Sequence, residues 1–263
     1  MTPTCGMPPA ADPESIRRIL ETDRPWAVYA LADLAPEYSG HAEWHVAPGG
    51  PDALLLVFRA FRPPVLFAHG SAANLASLLP EIAADTEYYL SVRPDVAALL
   101  RGAGYRVSGE KRMWRMLLDA ARFRAAPKDA VRLAPVDLGE LTRLYADGDA
   151  AGEAPPFFDA GMLRHGVYFG IRENGALVAA AGTHVLAASE SVAAIGNVYT
   201  RRDRRGRGFG RQVTAAVTAE LLRLNLRTVA LNVEETNHSA IQIYEGLGFG
   251  RYCEYREGWI GIR

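Results

Sequence analysis

Val198-Tyr-Thr-Arg-Arg-Asp-Arg-Arg-Gly-Arg-Gly-Phe-Gly210 follows a strand-like run, Val192–Tyr199, and leads into an amphipathic segment, Phe209–Leu224. Within that segment Val213, Val217, Leu221 and Leu224 recur at helical steps and mark one apolar face. Glycines at 206, 208 and 210 carry no side chains, so the backbone can turn sharply and aim its N–H groups in one direction. The helix that follows adds unpaired N-terminal donors and the positive end of its dipole. Such a turn suits a phosphate, and a pyrophosphate would take several donors at once.

Competing readings of the stretch can be weighed on spacing. A dinucleotide fingerprint needs G-x-G-x-x-G, and the even spacing of Gly206, Gly208 and Gly210 does not supply it. A P-loop needs Gly-Lys-Ser/Thr, and this stretch has no lysine. An exposed arginine-rich turn without a ligand stays open on these residues alone. Nucleic-acid binding lacks an aromatic platform beside the run. The whole chain of 263 residues carries 29 basic and 30 acidic groups, a balance unlike that of nucleic-acid or anionic-membrane binders. Arg201–Arg211 is the local exception, with six arginines against one aspartate.

Around this centre the composition is globular, at 49% apolar and 22% charged residues. Apolar runs such as Ala53–Phe58 and Ala176–Ala181 are far shorter than the ~20 residues of a membrane span. Met1–Pro13 shows no basic patch followed by an apolar run, and only Cys5 and Cys253 are present. We therefore expect a cytoplasmic protein without a disulfide framework, a secretory signal, a metal, or a membrane or nucleic-acid partner.

Proline and charge at Phe123–Asp129 suggest a boundary between residues 1–126 and 127–263. Before it, helices are expected at Pro13–Leu20, Ala72–Ala84 and Pro94–Arg101, and strands at Ala53–Phe58, Val65–His69, Tyr88–Val92 and Arg112–Leu118. After it, helices are expected at Val136–Ala146 and Ser239–Leu247, with strands at Val167–Arg172, Ala176–Val185, Thr228–Val233 and Gly250–Trp259. Glu173-Asn174-Gly175 reads as a tight hairpin turn. The two halves echo one another: Leu90…Gly-Ala-Gly-Tyr105 and Leu231…Gly-Leu-Gly-Phe249 share a strand, short helix, Gly-x-Gly-aromatic and strand order, which suggests duplication.

Arg205-Gly-Arg-Gly208-Phe-Gly210 resembles the R/Q-x-x-G-x-G/A signature of the GNAT superfamily of acyl-CoA-dependent N-acyltransferases. Asn197-Val-Tyr-Thr200 looks like that family's strand into the loop, and Asn237-x-x-Ala240-x-x-x-Tyr244-x-x-x-Gly248-Phe249 resembles its second signature. The resemblance covers about Val131–Arg263, and the run from Tyr168 to Thr200 is most similar to the branch with glycine N-acyltransferase-like enzymes. It implies an α/β (α+β) fold of two tandem GNAT-like domains, each a mixed, mostly antiparallel twisted sheet flanked by helices. Residues 127–263 would be the catalytic, acyl-CoA-binding copy. Residues 1–126 would be degenerate, since His69-Gly70-Ser-Ala-Ala-Asn74 offers one glycine and no arginine at the corresponding junction.

The resemblance further implies an acyl-CoA, acetyl-CoA first, as co-substrate. Its pyrophosphate would lie on the backbone of Arg205, Gly206, Arg207, Gly208, Phe209 and Gly210. Its pantetheine arm would follow Val198, Tyr199 and Thr200, and Asn237 would hydrogen-bond it. Backbone N–H groups near Val198 would face the oxyanion, and Tyr244 would give a proton to sulfur. A packed role for Tyr244 among Ala240, Ile241 and Leu247 competes with that assignment. No base is assigned among Glu190, Glu234, Glu235 and His184, and Cys253 reads as a buried strand residue. Leu144–His165 would shape the pocket for a small amine or amino-acid acceptor in a monomer or weak dimer. A non-catalytic acyl-CoA sensor or interaction module is the alternative.

Overall fold

Asn174 and Gly175 both take positive φ, 50° and 80°, and close a hairpin between β7 (Tyr168–Glu173) and β8 (Ala176–Ala187). The Asn-Gly pair tolerates that left-handed geometry, which matches the twist of the flanking strands. This hairpin is the middle of one of two units in the computed structural model, which describes residues 12–47, 52–83, 86–124, 129–155 and 157–261. One unit comprises residues 1–112 with 255–263, and the other residues 113–254. Cys5, nearly all of Met1–Pro13, and residues 125–128 of the expected boundary segment lie outside the described residues.

The first unit begins with α1 (Pro13–Glu21), whose N-terminus is capped by the Asp12 carboxylate on Glu14 N–H, and continues through α2 (Val28–Ala32) and α3 (Pro36–Ser39). Strands β1 (Ala42–Val46), β2 (Leu54–Phe58) and β3 (Val65–His69) pair antiparallel in that order. Next come α4 (Ala72–Leu75), then β4 (Tyr88–Val92), which lies parallel to β3, and α5 (Pro94–Gly102). The expected helix Ala72–Ala84 therefore runs as one α-turn and a 3-10 stretch, Ala76–Glu81 (Ala84 itself lies outside the described residues). Pro80 sits inside that stretch and has no N–H for an α-helical bond. Leu55, Leu66, Leu90, Val96, Leu100 and Ile260 build this unit's core.

The second unit contains β6 (Val131–Arg132), α6 (Leu138–Ala146), α7 (Ala160–His165), β7, β8 and β9 (Val192–Thr200). Antiparallel pairing links β6 to β7, β7 to β8, and β8 to β9. The helix α8 (Phe209–Arg223) then crosses to β10 (Thr228–Glu234), parallel to β9, and α9 (His238–Glu245) follows. Val213, Val217 and Leu221 bury the apolar face of α8 against Val178, Ile195 and Leu231. Leu224, expected on that face, is 41% exposed because the helix ends one residue earlier.

Each unit thus has one parallel strand pair after an antiparallel one, with a helical crossover between, the mixed sheet that the resemblance implies. Two 13-residue strands, β5 (Arg106–Leu118) and β11 (Phe249–Gly261), end the matching segments. Each follows a strand, a helix and a left-handed glycine: Gly104 at φ 88° and Gly248 at φ 98°. The Met113–Leu117 end of β5 pairs with β10 in the second unit, and the Arg256–Ile260 end of β11 pairs with β4 in the first.

Candidate active site

Parallel pairing of β9 with β10 stops at Ile195 and Leu231, yet the strands continue to Thr200 and Glu234. Beyond that point the facing edge of β9, with Val198, Tyr199 and Thr200, has no ladder partner on β10 among the described residues. A strand edge of this kind keeps backbone donors and acceptors for something other than the sheet.

The glycine turn follows directly. Gly206 and Gly208 take φ of 76° and 79°, and a Cβ on either would meet nothing within 4 Å, so the turn is strained for other residues but open in space. Gly208 caps α8, Phe209 begins it, and Gly210 lies in its first turn beside Thr200. Among the described residues, no acceptor pairs with the backbone N–H groups of residues 206–211. Six successive donors at a helix N-terminus suit a diphosphate, so the residues present fit the pyrophosphate that the signature implies.

The arginines of the turn are compensated rather than bare. Arg205 pairs with Glu153 at 2.5 Å and lies 5.7 Å from the Tyr199 ring centroid. Glu173, from the hairpin, holds Arg204 at 2.8 Å and Arg207 at 2.9 Å, while Asp203 holds Arg201 at 2.6 Å. Asp147 accepts from Tyr199 Oη at 2.9 Å and from the Arg202 N–H at 3.0 Å. The Arg202 N–H, first of all, keeps that carboxyl below its usual range. The local excess of positive charge read from the sequence is therefore largely neutralised by residues from three other segments.

Asn237 caps α9: its Oδ1 accepts from the Ala240 N–H and the Ser239 hydroxyl, both at 3.1 Å. Its Nδ2 has no partner among the described residues and remains available to a ligand. Tyr244 lies in the same helix, buried against Phe249 at 6.3 Å between ring centroids. Its hydroxyl has no hydrogen-bond partner among the described residues, and burial pushes its pKa up to about 12. One apolar cluster contains Tyr244 and packs the side chains of Val198 and Phe209, so the strand edge, the turn and the tyrosine share a core. Glu190 and Cys253 are buried, and His184 is half-buried.

A buried polar constellation escaped the sequence reading. Tyr145 Oη donates to the Asn197 carbonyl at 2.8 Å, Asn197 Nδ2 donates to Tyr168 Oη at 2.7 Å, and His184 Nε2 meets Asn197 Oδ1 at 3.0 Å. The signal available was glycine inside strands, at 182 and 196, where a bulge or a close approach is expected. No group of three or more His, Cys, Asp and Glu residues among those described could hold a metal ion, and no described helix is long and apolar enough to cross a membrane.

Residues 138–249 match the acetyltransferase (GNAT) family, and that span contains the split strands, the glycine turn and Tyr244. Over that span the chain is similar to GNAT acetyltransferases. A curated relative, the mycothiol acetyltransferase of Thermobispora bispora, is 31% identical over 180 residues, which cover 59% of each protein. A solved GNAT-family structure from Novosphingobium aromaticivorans is 26% identical, covering 92% of this chain and 100% of its own, with a TM-score of 0.62. A tandem GNAT protein from the clavulanic acid biosynthesis pathway shares the fold at 17% identity, covering 95% of each chain with a TM-score of 0.54. The chain spans about three-fifths of the length of this curated relative, whose name is not that of the glycine N-acyltransferase branch.

Proposed function

We propose that this protein transfers an acyl group, acetyl first, from acyl-CoA to the primary amine of a small molecule or amino acid by direct attack in a ternary complex. The observation that carries this reading is the run of six unpartnered N–H donors at residues 206–211 beside the unpaired edge of β9. Acetyl-CoA, when bound, supplies the activated acyl group. The backbone of Arg205–Gly210 would hold its diphosphate, Asn237 Nδ2 would donate to it, and the edge at Val198–Thr200 would take its amide arm. The Val198 N–H would oppose the negative charge that develops on the acyl oxygen. Tyr244, protonated at neutral pH, would donate to the departing sulfur. Residues 144–165 would wall the acceptor.

The first half, residues 1–126 in the sequence reading, is proposed as a copy without a cradle. Gly70, at the matching junction, is closed in: a Cβ there would overlap Asp52 O and Ala53, unlike the open space at Gly206 and Gly208. The Tyr168–Thr200 run supports a glycine N-acyltransferase-like acceptor, whereas the curated relative's name supports a mycothiol-related one. The test is thiol release from acetyl-CoA with a panel of amino acids, simple amines and mycothiol-related acceptors, with products weighed by mass spectrometry. An acetylated amine with stoichiometric CoA is the expected result. Binding without release across the panel would replace the transferase by an acyl-CoA sensor.

A further inference from the structure

The ladder between β8 and β9 slips twice and then recovers. Val192, Ala193 and Ala194 face Ala187, Leu186 and Val185, but Ile195 and Gly196 face Thr183 and Gly182. The first slip leaves His184 as an extra residue on β8. Beyond Gly196 the next pair is Tyr199 with Ala180, so Asn197 and Val198 together oppose Ala181. These are two β-bulges of opposite sense, and their offsets cancel between Ala194 and Tyr199. A single bulge would shift the register of every later pair; a cancelling pair confines the displacement to Ile195–Val198.

The extra residues of the two bulges bond to each other, His184 Nε2 to Asn197 Oδ1 at 3.0 Å. Asn197 Nδ2 faces Tyr168 Oη at 2.7 Å, and that hydroxyl donates to the Thr183 carbonyl at 3.2 Å. With Nδ2 so directed, Oδ1 faces the imidazole, and His184 Nε2 carries the proton. Two glycines make room for the rings: a Cβ on Gly196 would overlap His184, and one on Gly182 would overlap Tyr168. Asn197 is buried and held at φ 51°, a left-handed conformation that residues other than glycine adopt only at a cost.

The peptide between Asn197 and Val198 is fixed from its other end as well. Tyr145 Oη donates to the Asn197 carbonyl at 2.8 Å. In a planar trans peptide the N–H points opposite to the C=O, so the Val198 N–H is directed away from Tyr145. We propose that His184 is a positioning residue: through the Asn197 carboxamide it locks the paired bulges and thereby the direction of the Val198 N–H that meets the acyl oxygen. This rests on the acyl-transfer reading above. A donor of this kind works only when its direction is set before the charge appears, which is what a buried, satisfied clamp provides.

The experiment uses the full chain with acetyl-CoA labelled with carbon-13 at the thioester carbonyl, whose infrared stretch reports hydrogen bonding to that oxygen. In the native protein the bound carbonyl should absorb at lower frequency than free acetyl-CoA. His184→Ala should return it toward the free value, leave the Kd for acetyl-CoA within about threefold, and lower kcat about 10–100-fold with little change in KM. His184→Gln, which restores an N–H donor, should recover most of the shift. Asn197→Gly, which keeps the positive φ and removes the carboxamide, gives a second route should the alanine variant fail to fold, and should lose the shift as well. A native carbonyl frequency and kcat in folded His184→Ala or Asn197→Gly would overturn the proposal. A native protein that binds no acetyl-CoA would overturn the acyl-transfer reading itself, and the positioning role with it.

Discussion

Glu153 Oε2 lies 2.5 Å from Arg205 Nη2, so the segment ahead of α7 is tied to the arginine that opens the glycine turn. A diphosphate on that turn competes with the same carboxylate for the same guanidinium. Glu153→Gln should therefore tighten acetyl-CoA binding severalfold at low salt, and the gain should shrink toward nothing near 1 M salt, where charges are screened beyond about 3 Å. Calorimetric titration across ionic strengths measures both. Because Glu153 is exposed, thermal stability should be unmoved.

The open space around Gly208 makes it the sharpest probe of the cradle. Gly208→Val forces a branched side chain to φ 79° and into the ligand's place. The native chain should bind one acetyl-CoA and the variant none detectable, with far-ultraviolet circular dichroism retained and a loss of about 1–3 kcal/mol in stability from the strained backbone. A stoichiometry near two for the native chain would give the first unit a working cradle.

Tyr244→Phe removes a hydroxyl and keeps the ring packed on Phe249. A hydroxyl with a pKa near 12 is protonated throughout the working range, so its donation should be independent of pH below that value. Loss of a positioned acid should lower kcat about 10²–10⁴-fold while acetyl-CoA affinity holds. Single-turnover rates within twofold of the native enzyme would leave Tyr244 a packing residue.

Asp33 is a buried carboxylate at the end of α2 with no partner among the described residues, and burial alone pushes its pKa well up. A raised folded pKa contributes stability at pH below the unfolded value of about 3.8, and that contribution is lost as pH rises through the folded value. Asp33→Asn should therefore stabilise the protein by about 1–3 kcal/mol at pH 7 and by little at pH 3.5. Denaturant unfolding at the two pH values checks the sign.

Local chemistry made much of this molecule legible. Asn174-Gly175 and the glycines at 206 and 208 advertise positive φ, and the structure puts each of them there. The echo between the halves appears as matching strand, helix, left-handed glycine and 13-residue strand. Elements shorter than two helical turns, such as Val28–Ala32 and Pro36–Ser39, leave too little periodicity to read. The arginine pairing was hidden because Glu153 and Glu173 stand 52 and 34 residues from their partners Arg205 and Arg207. The clamp around Asn197 was hidden for the same reason, joining residues from α6, β7, β8 and β9. Only its paired strand glycines left a trace.

The final strand has a consequence for how the chain is made. Its Arg256–Ile260 stretch supplies the partner of β4, although β4 belongs to a unit otherwise assembled from residues 1–112. Synthesis proceeds from the N-terminus, so the first unit to emerge from the ribosome is the last to be finished. Until residue 260 is free, β4 keeps an unsatisfied edge, and Leu90 and Val92 lack Ile260 in their shared core. Early folding of the N-terminal half is thus provisional, and a chain stalled before Tyr255 would present an adhesive strand to its neighbours.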